Sequence, residues 1–142
     1  MAKKEEDTKK AQELQQKYMQ LQMFNQQLQQ LQKQLETIQN QSAEIQTILL
    51  ALDDIAKTEI GKEMLVPLSS GIFVRAEIKD NKKLKVNVGS NTIVEKNVQE
   101  TKALLDRQIL ELNKLNEDLT SQYSKITAEA EKVQAEVQKM SA

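Results

Sequence analysis

The chain has 142 residues, a formal net charge of −1, 29% charged residues and only 3% aromatics. It contains no cysteine and no histidine, which excludes disulfides, thiolate catalysis, cysteine-held metals and histidine general bases. The balanced charge leaves no global field for nucleic acid or an anionic membrane, and no apolar run is long enough to span a bilayer.

Met1-Ala2-Lys3-Lys4-Glu5-Glu6-Asp7 is charged and has no apolar stretch behind it. It does not read as a secretory signal, and a cytoplasmic location is expected. Residues 1 to about 10 are expected to fray. A first helix is predicted from about 11 to 58. Leu14, Leu21, Leu28, Leu35, Ser42, Leu49 and Ala56 recur every seven residues. Phe24, Leu31, Ile38, Ile45 and Leu52 lie three residues after them. These are the a and d positions of a coiled coil, spaced so that one seam stays against a partner helix. Lys17 interrupts the second series. Glutamine fills much of the remaining surface and reads as a solvated face. Gly61 is the expected residue just past the helix end, where a left-handed conformation costs it little.

Residues 64–95 change character. Ile72–Ile78 and Leu84–Val88 alternate apolar and polar residues, flanked by Leu65-Val66-Pro67-Leu68 and Thr92-Ile93-Val94. Gly, Asn, Asp and Ser separate the pieces, and these residues turn the chain. Four short strands, or two β-hairpins, are expected. Pro67 lacks an N–H and predicts an edge strand or a bulge. So small a sheet cannot bury a core alone, and its unpaired edges invite other subunits. Val66, Leu68, Ile72, Val74, Ile78, Val86, Val88 and Ile93 are the expected oligomerisation residues.

A second helix is predicted over 97–140. Asn97 is its candidate N-cap, with Glu100 three residues on. Val98, Leu105, Leu112, Leu119, Ile126, Val133 and Met140 form its first series. Ile109, Asn116, Tyr123, Ala130 and Val137 form its second. Asn116 reads as a register pin, with a ligand contact as the other reading.

The expected architecture is mostly α with small β, one domain over 1–142. Two matched helices make an antiparallel coiled-coil hairpin, with two β-hairpins between them that assemble into an oligomeric β-barrel body. Folding back brings Leu14–Met23 beside Ile126–Met140. No catalytic, cofactor or metal site emerges: Asp53-Asp54 reads as a polar helix face, and Lys82, Lys83 and Lys85 as an exposed rim. What remains is surface that binds. Leu14, Tyr18, Met19, Met23, Ile126, Val133, Val137 and Met140 lie near the hairpin end, with Met19 and Met23 read as flanking the seam. Partly exposed apolar groups there suit weak contacts with unfolded chain, strengthened by several copies on one body.

The run Leu65-Val66-Pro67-Leu68-Ser69-Ser70-Gly71-Ile72-Phe73-Val74-Arg75-Ala76, then Val86-Asn87-Val88-Gly89-Ser90-Asn91 and Val94-Glu95-Lys96, between two heptad helices, resembles the prefoldin family. The two-hairpin length resembles its α-type subunit. The resemblance implies a hetero-hexamer of two α-type and four β-type subunits, with a double β-barrel body and six coiled-coil tentacles. It implies ATP-independent capture of non-native proteins near the tentacle tips and delivery to a group II chaperonin, with no cofactor, no nucleic acid and no membrane. The alternatives are a structural coiled-coil scaffold and an assembly adapter for one specific partner.

Overall fold

The structure is a computed structural model that describes residues 2–141. The element order is α1 (Ala2–Lys57), β1 (Glu63–Ser69), β2 (Ile72–Glu77), β3 (Lys83–Asn87), β4 (Ile93–Asn97) and α2 (Val98–Ser141). By internal contacts the chain divides into two units, Met1–Asn40 with Leu112–Ala142, and Gln41–Glu111.

Helix α1 begins earlier than expected. Residues 2–10, predicted to fray, are helical. Ala, Lys and Glu are strong helix formers and no Gly or Pro interrupts them. The Thr8 hydroxyl also donates to Lys4 O at 2.7 Å.

The first unit is a two-helix coiled coil. Leu31, Ile38 and Leu119 form its buried centre, with Leu35, Leu112, Tyr123 and Ile126 packed around them. Every one of these residues belongs to a heptad series read from the sequence. Early α1 meets late α2, so the helices run antiparallel, as Lys17 Nζ to Glu136 Oε2 also shows at 2.7 Å. The core is a seam, and no large side chain in it is completely buried. Asn116 is half-buried at its seam position, and its Oδ1 accepts from the Thr120 hydroxyl at 3.1 Å, within its own helix.

In the second unit α1 ends at Lys57, with Thr58 N donating to Ile55 O at 3.1 Å. Gly61 is not the residue after the helix. It lies four residues beyond, with φ +92°, in a turn where its N–H donates to Ile78 O at 2.7 Å. The left-handed conformation expected of Gly61 is present, and it serves the base of the first hairpin. Asn81 takes over part of the cap: its Nδ2 donates to Thr58 O at 2.9 Å. That bond ties the connection between the two hairpins to the end of α1.

The strands form two separate antiparallel pairs, β1 with β2 and β3 with β4. In the first, Val66 faces Val74, and the register shifts between Pro67 and Ser69. The irregularity falls where proline removes a donor. Gly71 turns this hairpin at φ +80°. In the second, Val86 faces Val94. Asp80 Oδ1 accepts from Lys82 N at 2.8 Å and Lys83 N at 3.1 Å, fixing the turn that leads into β3. Asn97 ends β4 and caps α2, its Oδ1 accepting from Glu100 N at 2.7 Å. Thr101 is buried, and its hydroxyl is satisfied by Asn97 O at 2.9 Å.

Candidate functional site

The first unit gathers all eight residues expected to bind partners near the helical ends, but in different environments. Leu14, Ile126, Val133 and Met140 are half-buried in the seam. Val137 is closed off, at 6% exposure. Tyr18, Met19 and Met23 are open, at 53%, 60% and 59%. An open groove runs between the helices here, lined by Tyr18 and Leu21 on α1 and by Gln134, Val137 and Gln138 on α2. The tyrosine ring therefore borders a crevice whose floor includes a seam valine.

Met19 and Met23 do not flank the seam. At about 100° per residue they fall on the side of α1 turned away from Leu21, Phe24, Leu28 and Leu31. Heptad arithmetic already contains that placement, since they occupy f and c positions. Neither side chain is needed to close the coiled coil.

Lys17 occupies an a/d position with a charge. Its side chain is about three-quarters covered, and its ammonium reaches out of the seam to Glu136. The paired Lys17 holds the Glu136 carboxyl below its usual range. In the second unit Lys102 and Asp53 make the corresponding contact, and hydrogen bonding to Lys102 lowers the Asp53 carboxyl. Asp53 is thus half of an ion pair between α1 and α2, which accounts for one member of the Asp53-Asp54 pair. Lys85 Nζ meets Glu95 Oε1 at 2.6 Å across β3 and β4 and lowers the Glu95 carboxyl. Lys85 is therefore exposed and paired.

The strands of the second unit leave their apolar residues open. Val66, Leu68, Ile72, Val74, Val88 and Ile93 are exposed. Val86 is half-buried, and Ile78 is buried just beyond β2, where its N–H donates to Lys62 O at 3.2 Å. Leu65 and Phe73 are as open as the others, at 65% and 57%. Alternation selects one face of a strand, so it passes over these two, yet both faces of the first hairpin are greasy and uncovered. Exposed apolar strands with unpaired edges are places where other chains can pair with a sheet.

Among the described residues no helix is long and apolar enough to cross a membrane. A family model described as "Prefoldin subunit" matches residues 24–142. The prefoldin subunit alpha of Thermofilum pendens is 42% identical over 86 residues, covering 61% of this chain and 67% of that protein. The prefoldin subunit alpha of Methanococcus vannielii is 31% identical over 98 residues, covering 69% and 67%. Among solved structures, the cryo-EM structure of a filamentous prefoldin from Methanocaldococcus jannaschii superposes with a TM-score of 0.76 at 22% identity, over 84% of this chain and 98% of that one. Two long helices with two antiparallel hairpins between them are the prefoldin fold. The chain belongs to the prefoldin family. Prefoldin is a chaperone that delivers substrates to a chaperonin.

Proposed function

We propose that this chain is the α-type subunit of a cytoplasmic hetero-hexamer of two α-type and four β-type subunits. The hexamer holds non-native proteins without ATP and passes them to a group II chaperonin. It works by binding, with no chemical turnover. The strands around Val66, Leu68, Ile72, Val74, Ile78, Val86, Val88 and Ile93 join those of other subunits in a β-barrel body. Leu14, Tyr18, Met19, Met23, Ile126, Val133, Val137 and Met140 mark the client-binding end of the coiled coil.

The observation that carries this reading is the exposure of Tyr18, Met19 and Met23 on a coiled coil whose seam is closed by other residues. Soluble surfaces carry single exposed apolar residues without consequence, but three within six positions, Tyr18 bordering the groove and Met19 and Met23 on the outward side of α1, make a contact surface. Each contact is weak and without sequence preference. Several coiled coils on one body raise the effective concentration of such contacts enough to hold a client.

The test is suppression of aggregation. Assembled with β-type subunits, the chain keeps a chemically denatured enzyme soluble with no nucleotide present. The same complex without a suppressing effect would leave the scaffold reading.

A further inference from the structure

From Tyr18 to Gln32, α1 carries fifteen residues without one charge, in a chain that is 29% charged. This is the longest charge-free run in the sequence, and it holds seven glutamines and one asparagine. The facing helix is different: Leu112–Ser141 carries nine charged residues. Composition alone does not explain the contrast within one coiled coil.

The position of the run sharpens it. Leu21, Phe24, Leu28 and Leu31 turn into the seam, where they are half-buried or buried. Met19, Gln22, Met23, Gln26 and Gln30 lie on the opposite side of the helix, and all are exposed. That outward side is where a soluble coiled coil ordinarily places Lys and Glu. Here it offers two flexible thioethers and a row of primary amides.

Such a surface fits one kind of occupant. A charged side chain covered by a segment that brings no counter-charge must give up hydration without replacement. An amide loses far less, and it carries both a donor and an acceptor. The backbone of an unfolded chain presents the same two groups at every residue. Methionine meanwhile adapts to whatever apolar side chain arrives. Cores of protein interfaces likewise lose charge and gain methionine.

We infer that the outward face of α1 formed by Met19, Gln22, Met23, Gln26 and Gln30 docks extended, uncharged segments of unfolded polypeptide, through amide-to-backbone hydrogen bonds and methionine packing. This rests on the chaperone reading above and narrows it to a client class. It also lengthens the client surface beyond Met23 by two turns of helix. Selection is against charge of either sign in the docked segment, and capture is insensitive to salt.

The probe is a dye-labelled, unstructured peptide of Ser, Asn, Gln and Leu, titrated with the assembled hexamer. Two triple variants are compared, Gln22→Glu with Gln26→Glu and Gln30→Glu, and the same three positions changed to Lys. Glu and Lys are good helix formers, so helicity and native mass stay unchanged. Both variants weaken peptide binding about tenfold, while wild-type affinity changes less than about twofold between low and high salt. Either variant binding as wild type, or wild-type affinity falling steeply with salt, overturns the inference. So does a higher-order assembly that the variants abolish, which assigns the face to a second copy. The two readings separate cleanly: variants that suppress aggregation as well as wild type refute this face alone, whereas a wild-type hexamer that suppresses nothing refutes the chaperone reading itself.

Discussion

Lys17 Nζ lies 2.7 Å from Glu136 Oε2, at a position where the heptad series calls for an apolar residue. The seam weakens there toward the helical ends. A lysine can sit in such a place because its aliphatic stem covers apolar surface while the ammonium reaches a carboxylate at the rim. The pair is partly solvated, so it holds register and adds little to stability.

Replacing that lysine tests the argument. Lys17→Leu continues the apolar series through residues 14, 17 and 21, and the thermal midpoint rises by roughly 2–4 °C. If the ion pair were the main attachment between the helical ends, the midpoint would fall instead. Circular dichroism of the assembled complex reads the difference.

The pH dependence follows from four carboxyls. Asp53, Asp80, Glu95 and Glu136 are all held below their ordinary values, by Lys102, by the backbone N–H groups of Lys82 and Lys83, by Lys85 and by Lys17 respectively. A carboxyl lowered in the folded state contributes stability that is complete above its unfolded pKa of about 4 and is lost as pH falls through its folded value. The chain has no histidine, the side chain that ordinarily changes charge between about pH 5 and 8. The thermal midpoint is therefore flat over that window and declines below about pH 4. Lys102→Met removes the Asp53 share of the decline.

Ile38→Ala empties part of the best-packed section of the seam, where Ile38 sits with Leu31 and Leu119. Its cost is about 2–4 kcal/mol, measured by denaturant titration of the assembled complex. Asn97→Ala removes the cap on Glu100 N and costs about 1 kcal/mol. A cap variant as damaging as the seam variant would mean that α2 depends on its first turn more than on its packing.

The hairpins should decide assembly without deciding helicity. Ile72→Ser with Phe73→Ser removes apolar surface from both faces of β2, where neither side chain has a covering partner in the single chain. Native mass drops to that of unassembled subunits while the helical signal persists. Intact hexamers from this variant would place the assembly contacts elsewhere.

Much of the fold can be read from spacing. The two heptad series set which side chains meet, and Leu31, Ile38 and Leu119 are buried where period seven puts them. Asn97 caps because its own side chain is one turn from Glu100 N, a local relationship. What spacing does not carry is contact between distant residues. Asn81 reads as a turn residue, and its bond to Thr58 O joins positions with no periodic relation. Gly61 shows the same limit: its positive φ is legible, but whether it ends the helix or turns into the hairpin depends on Ile78 O. The outward position of Met19 and Met23 follows from their f and c places in the heptad, although both lie close to seam residues in sequence.

If the helical ends hold unfolded protein, a complex without them loses its grip on clients. Hexamers are assembled with the α-type chain lacking residues 1–20 and 127–142, and their native mass is checked against wild type. Aggregation of a denatured enzyme is then followed by light scattering without nucleotide. The expected outcome is intact hexamers that lose most of their protective effect. Intact hexamers that protect as well as wild type would contradict it.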